Sequence, residues 1–185
     1  MNKIFALALT GLVALQAHAV EYKAIQADKS NVTFSYKQMG VAMDGKFKKF
    51  SSQLSFDPAK AANAKATLEI ELASIDTGSS DADQEVVGKS WFNVAAFPKA
   101  VFVATQVKPT TPNQYQVMGK LTIKGKTQDI SFPLKHTPQG NAGVFTGGFT
   151  LHRADFLIGE GMWSKFDVVA NDIQVNFQLT AQPSK

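Results

Sequence analysis

The side chains best suited to reactive chemistry are few: His136, His152 and the lone arginine, Arg153. A third histidine, His18, falls in an N-terminal segment of different character. Cysteine is absent, which removes disulfides, thiolate nucleophiles, iron–sulfur clusters and cysteine-ligated zinc together. A zinc site needs three or four converging ligands, and two scattered histidines without a paired acidic motif do not supply them. Asp76, Asp81, Asp83 and Glu85 resemble a calcium loop, but Val86 stands where such a loop needs glycine. The same acidic residues suit the first turn of a helix. There is no Gly-x-Ser-x-Gly elbow, no P-loop and no dinucleotide fingerprint. Asp155, Asp167 and Asp172 could be brought together by neighbouring strands, yet no spacing marks them as an acid–base pair. The chain thus offers binding surface rather than reactive groups, and we expect no catalytic residue, no metal and no cofactor.

The elements that would position a binding surface are strands. Val32, Phe34 and Tyr36 alternate with polar residues, as do Ala66, Leu68, Ile70 and Leu72. Tyr115 to Ile123, Ile130 to Leu134, Phe145 to Leu151 and Ile173 to Leu179 repeat the period of two. Residues 44–56 and 99–107 are less regular but rich in Phe and Val. Breaks at Asp57-Pro58, Lys108-Pro109 to Asn113, Lys124-Gly125-Lys126, Pro138 to Asn141 and Gly159 to Gly161 carry turn chemistry. This spacing predicts eight or nine antiparallel strands in an all-β domain. One helix is predicted over 81–92, with Ser80 and Asp83 as its capping box, covering one end of the strands or a gap between them. One-sided apolar strands need cover, either as two packed sheets or as one closed barrel of about eight strands.

Residues 1–19 read as a cleavable export signal. Lys3 precedes an apolar run from Ile4 to Leu15, and Ala17-His18-Ala19 supplies a small-x-small cleavage site. The run is shorter than the ~20 residues of a membrane span. Residues 20–185 are then expected to form one exported domain that begins at Val20 and resides in the periplasm. Without Lys3 the domain holds 18 basic and 15 acidic side chains, a net charge of +3. Its lysines are scattered and its arginine single, so no nucleic-acid footprint is present.

Ordered motifs run along almost the whole of this domain. Ser30-Asn31-Val32-Thr33-Phe34 leads to Gly45-Lys46-Phe47 and Leu54-Ser55-Phe56-Asp57; Ile75-Asp76-Thr77 precedes Trp91-Phe92-Asn93 and Phe97-Pro98-Lys99-Ala100 with Phe102. Gly119-Lys120-Leu121-Thr122-Ile123-Lys124-Gly125-Lys126-Thr127 follows, then Arg153-Ala154-Asp155-Phe156 and Ile158-Gly159. In this order the chain resembles the YceI family of bacterial periplasmic proteins, from about Tyr22 to Ala181. The resemblance implies a lipocalin-like antiparallel β-barrel with one short helix that holds a long-chain isoprenoid lipid, a quinone or polyprenyl compound. One departure stands out: many relatives carry a His-Leu-Arg-like stretch before the Trp-Phe-Asn motif, where this chain reads Val86-Val87-Gly88-Lys89.

On that resemblance the lipid-lining candidates are Phe34, Tyr36, Phe47, Leu68, Leu72, Trp91, Phe92, Phe102, Leu121, Phe145, Phe149, Arg153, Phe156, Trp163 and Phe177. The residues by themselves favour a filled core, and it is the resemblance that turns the reading to a lined tunnel. Arg153 either meets a headgroup or pairs with a carboxylate such as Asp155 or Asp167, and Trp163 either plugs the barrel or covers its mouth. Gly119, Gly147 and Gly148 mark curvature or close approach of a ligand chain. A carrier of this kind would touch the membrane transiently; a homodimer and a membrane redox partner stay open. The rival readings are an enzyme acting on a bound hydrophobe, an outer-membrane barrel, and a filled-core stress or adhesion module.

Overall fold

The computed structural model describes residues 20–183; the expected export signal at 1–19 lies outside them. Eleven strands form one antiparallel sheet: β1 Tyr22–Ile25, β2 Asn31–Gln38, β3 Val41–Phe47, β4 Phe50–Ser55, β5 Lys65–Glu71, β6 Ile75–Asp76, β7 Lys99–Thr111, β8 Gln114–Ile123, β9 Lys126–Gln139, β10 Ala142–His152 and β11 Asp172–Pro183. Their order is β4-β5-β7-β8-β9-β10-β11-β2-β3-β6, with β1 added on β11. The two ends of the sheet approach each other. Only Lys48 and Lys49 separate β3 from β4, and Tyr22 beside β11 bridges Phe56 just beyond β4. The architecture is a curled half-barrel of eleven strands, which corrects the expected barrel of about eight.

The extra strands escaped sequence reading for identifiable reasons. β1 and β6 have four and two residues, too few to show a period. Residues 44–56 read as one strand because Phe47, Phe50 and Phe56 recur through them and Lys48-Lys49 carries no turn signal, but the corner there divides them into β3 and β4. Lys108-Pro109, expected in a turn, continues β7, and the reversal comes at Pro112-Asn113. A register shift near Pro109 accommodates the missing N–H.

Among the described residues the one α-helix, α1, is Ser80–Val86, which starts one residue earlier than the expected 81–92 and ends six residues sooner. Its N-cap is Ser79 rather than Ser80, and its side chain accepts from the Ala82 N–H. Asp83 does not close a capping box. Its Oδ1 instead accepts from the Thr77 N–H (2.8 Å) and the Thr77 hydroxyl (2.7 Å), tying the helix to the end of β6. Gly88 to Phe97 then form turns, held by bonds such as Asn93 N–H to Gly88 O at 2.8 Å.

Three in-strand glycines show how the sheet holds its curvature. Gly45 lies under the Phe34 ring, Gly119 under Phe102 and Gly147 under Phe177, where a Cβ would collide with each ring. Phe34 and Gly45 face each other across β2 and β3, and Phe177 faces Gly147 across β11 and β10. The close approach at Gly119 and Gly147 is made by the protein's own aromatic rings. At Gly148 the neighbours are the Asn176 side chain and the Val175 carbonyl.

Candidate functional site: an apolar cavity inside the curled sheet

Alternation along the strands sends one set of side chains inward. On β11, Ile173, Val175, Phe177 and Leu179 line a central cavity while Asp172, Gln174, Asn176 and Gln178 are exposed. On β2, Val32, Phe34 and Tyr36 do the same, and on β5 Ala66, Leu68 and Ile70. The cavity has a volume of about 640 Å³, within the roughly 300–1,000 Å³ usual for small-ligand sites. Its wall extends from Ile173 to Leu179, six residues of strand rise or about 20 Å. Polar groups in the wall are Gln38, Ser52, Thr77, Ser79, Asp81, Glu85 and Arg153.

Aromatic rings build much of the wall. Phe132 packs on Phe102, Phe149 and Phe177 with centroids 5.5, 5.6 and 5.5 Å away. Nearer the helix, Phe47 contacts Phe34 at 5.4 Å and Phe92 at 6.4 Å. Such stacked, edge and tilted contacts contribute about 0.5–1.5 kcal/mol each beyond their area. Burial, and next the Asp83 carboxylate, push the Tyr36 phenol above its usual range, so it faces the cavity as a neutral hydroxyl.

Fourteen of the fifteen sequence-derived candidates border this cavity: Phe34, Tyr36, Phe47, Leu68, Leu72, Trp91, Phe92, Phe102, Leu121, Phe145, Phe149, Arg153, Trp163 and Phe177. Phe156 does not. β10 ends at His152, and Arg153–Phe156 is a 3-10 turn, so the strand period no longer governs where Phe156 points. It packs instead into the buried cluster with Trp91 and Ile158.

Arg153 is only 1 % exposed, and its environment differs from both readings of the sequence. Its guanidinium donates to six backbone carbonyls: Ala170 from Nε (3.2 Å), Ile158 and Gly159 from Nη1 (2.7 and 3.2 Å), and Trp163, Lys165 and Val169 from Nη2 (2.8, 3.0 and 2.9 Å). Among the described residues no carboxylate pairs with it. The ring faces of Trp91 and Phe166 cover it at 5.5 and 5.1 Å. Burial lowers its pKa from the ordinary arginine value, but six aligned carbonyl dipoles suit the cation. All its donors are directed into the 158–170 loop, so Arg153 is the staple of that loop.

The stapled loop closes over one end of the cavity. Trp163 packs on Trp91 at 5.4 Å, and its indole N–H donates to Glu85 Oε1 at 2.9 Å, joining the loop to α1. Trp163 is therefore a strap across the mouth rather than an internal plug. Lys124, almost fully buried, fixes the same region by donating to Leu157 O and Glu160 Oε2, both at 2.7 Å. Sequence reading missed Lys124 and Glu160, because nothing distinguishes this lysine in a turn from the other scattered ones. The Trp91 indole N–H is buried without a partner among the described residues.

His136 and His152 do not meet. His152 is exposed and contacts Asp172 at 2.8 Å. His136 is buried among Tyr22, Phe56 and Phe145, with neither ring nitrogen bonded, and desolvation lowers its pKa. Among the described residues no group of three or more His, Asp or Glu could hold a metal, and no helix is long and apolar enough to cross a membrane.

A curled antiparallel sheet around one long apolar cavity, strapped at one end by a loop and a short helix, defines the class of fold that encloses an internal apolar cavity. Within that class the YceI-like domain matches residues 23–181, and the chain belongs to the YceI family. It is 34% identical over 137 residues to the UPF0312 protein of Yersinia pestis (strain Pestoides F), covering 72% of this chain and 71% of the relative. The crystal structure of BcnA from Burkholderia cenocepacia superposes with a TM-score of 0.83 at 40% identity, over 85% of this chain and 99% of that one. A polyisoprenoid binding domain from Saccharophagus degradans shares the fold, with a TM-score of 0.69 at 16% identity over 89% of this chain and 99% of its own.

Proposed function

We propose that the protein is a periplasmic carrier that holds one long-chain isoprenoid lipid, a quinone or polyprenyl compound, inside the curled sheet. The observation that carries this reading is the cavity: about 640 Å³ of inward-facing Phe, Leu, Ile and Val, with polar groups gathered mainly at one end. Family membership and the polyisoprenoid-binding neighbour support a lipid as the occupant. Each CH₂ withdrawn from water contributes about 0.8 kcal/mol, so a chain inside the cavity is held firmly against water. A bilayer solvates the chain about as well as the cavity does. Net transfer is therefore a small difference between large terms, which suits a protein that must load and unload. The staple at Arg153 keeps the only guanidinium occupied, so any headgroup contact falls to Tyr36, Gln38, Thr77 and the α1 residues.

Organic extraction of protein purified from its own host, followed by mass spectrometry, tests this. About one equivalent of a single isoprenoid class per chain is the expected result. Clean extracts, together with no uptake of added quinone or polyprenyl phosphate, would remove the binding function.

A further inference from the structure

Eight large apolar side chains are exposed among the described residues, and six of them gather at the cavity mouth: Met39 (75%), Val41 (61%), Leu157, Met162 (85%), Phe166 and Val168. The chain itself shows that they share this end. Gln38, Ile158, Trp163 and Val169 border the cavity, and Met39, Leu157, Met162 and Val168 are their immediate neighbours in sequence. The Met39 N–H donates to Val168 O at 2.7 Å and the Ala170 N–H to Lys37 O at 3.0 Å, so the β2–β3 turn and the stapled loop form one rim.

Local preference does not account for these side chains. Met39 and Gly40 form a two-residue turn with φ of +51° and +81°, a turn that Asn-Gly occupies without strain. Leu157 also stands at a positive φ, +55°. Two apolar residues thus adopt the left-handed backbone and still point their side chains at solvent, which costs on both counts. The Leu157 backbone is set by the end of the Arg153–Phe156 turn and by the Lys124 bond to its carbonyl, but packing inside the domain does not explain why either side chain is exposed.

We propose that this rim docks on the surface of a lipid bilayer, placing the cavity mouth against the hydrocarbon boundary. The charge around the rim selects the mode of contact. The elements around the rim carry four carboxylates, Asp81, Asp83 and Glu85 on α1 and Asp167 on the loop, against Lys37 and Lys165, so there is no surplus of positive charge to attract anionic headgroups. Attachment comes from insertion of the apolar tips. A bilayer fits better than a second copy of the chain, because a copy seated on the rim would cover the cavity where its cargo must pass. This inference rests on the lipid-carrier reading: a chain passing between bilayer and cavity through a docked mouth never crosses water.

Flotation of the detergent-free protein with phosphatidylcholine vesicles tests it. Binding is expected with phosphatidylcholine alone and is expected to change less than about twofold when anionic phosphatidylglycerol or salt is added. The triple variant Met39→Ser, Val41→Ser, Met162→Ser, altered only at exposed positions outside the cavity wall, should lower the vesicle-bound fraction about tenfold. Its melting temperature and its lipid content by native mass spectrometry should stay unchanged. Lipid-loaded protein that does not float, or floats only with anionic lipid, overturns docking by insertion and leaves the carrier reading intact. A dimer in sedimentation that the triple variant dissolves assigns the rim to a second copy and also overturns it. Protein that floats yet neither carries nor takes up lipid keeps the docking surface and removes the carrier reading.

Discussion

Replacing Arg153 by methionine keeps the length of the stem and deletes every donor. Six carbonyls of residues 158–170 then lose their partner. Hydrogen bonds to a charged group contribute about 1.5–3 kcal/mol each, so complete loss of the six with the loop held in place would reach roughly 9–18 kcal/mol. The loop need not stay in place. It can swing out and rehydrate its carbonyls, which limits the loss to what its closed position stabilises. That position buries Phe156, Ile158 and Val169, each 8 % exposed or less, and holds the Trp91–Trp163 and Trp163–Glu85 contacts. Removing this set costs about 3–5 kcal/mol. Urea unfolding followed by circular dichroism should show that drop, and hydrogen exchange should show faster amides at 157–170 than in β8 to β10. Arg153→Lys, which retains the charge and three donors, should fall between the two. A methionine variant within 1 kcal/mol of the parent, with the loop amides still protected, would refute the staple.

Other expectations follow from particular residues. His136 is buried and unbonded, so its folded pKa lies below the ordinary 6.5. Its contribution to stability is intact above pH 6.5 and is lost as the pH falls through the lowered value, because the unfolded chain then binds the proton first. His136→Phe should flatten urea midpoints measured between pH 7 and pH 4; an unchanged slope would contradict the assignment. Gly147→Ala places a Cβ against the Phe177 ring and should cost about 1–3 kcal/mol. The cost should shrink in a Phe177→Leu background, and an equal cost in both backgrounds would mean that the ring is not the obstacle. Leu68→Trp places a bulkier ring in the cavity wall, and native mass spectrometry should show lipid occupancy reduced about tenfold or more without unfolding; full occupancy would place the lipid elsewhere.

The sequence by itself determined the all-β class and which strand side chains face inward, because both depend on the period of two. Once Phe177 faces inward, Val175 and Ile173 must follow, whatever the strands pair with. It also determined which chemistry is missing, since absent cysteines and glycine-rich loops need no coordinates to count. Tertiary structure decided the rest. Strand number was hidden because β1 and β6 carry too few residues for a period, and because the corner at Lys48-Lys49 looks like continued strand. Phe156 left the wall because a 3-10 turn replaced the strand at Arg153. Arg153 itself shows why a partner cannot be read from sequence. The nearby carboxylates of Asp155 and Asp167 were the visible candidates, but the guanidinium is satisfied by six main-chain carbonyls, which every residue possesses and no sequence distinguishes. Only the path of the 158–170 loop brings those oxygens to one point, and the same path sets the apolar rim around the mouth.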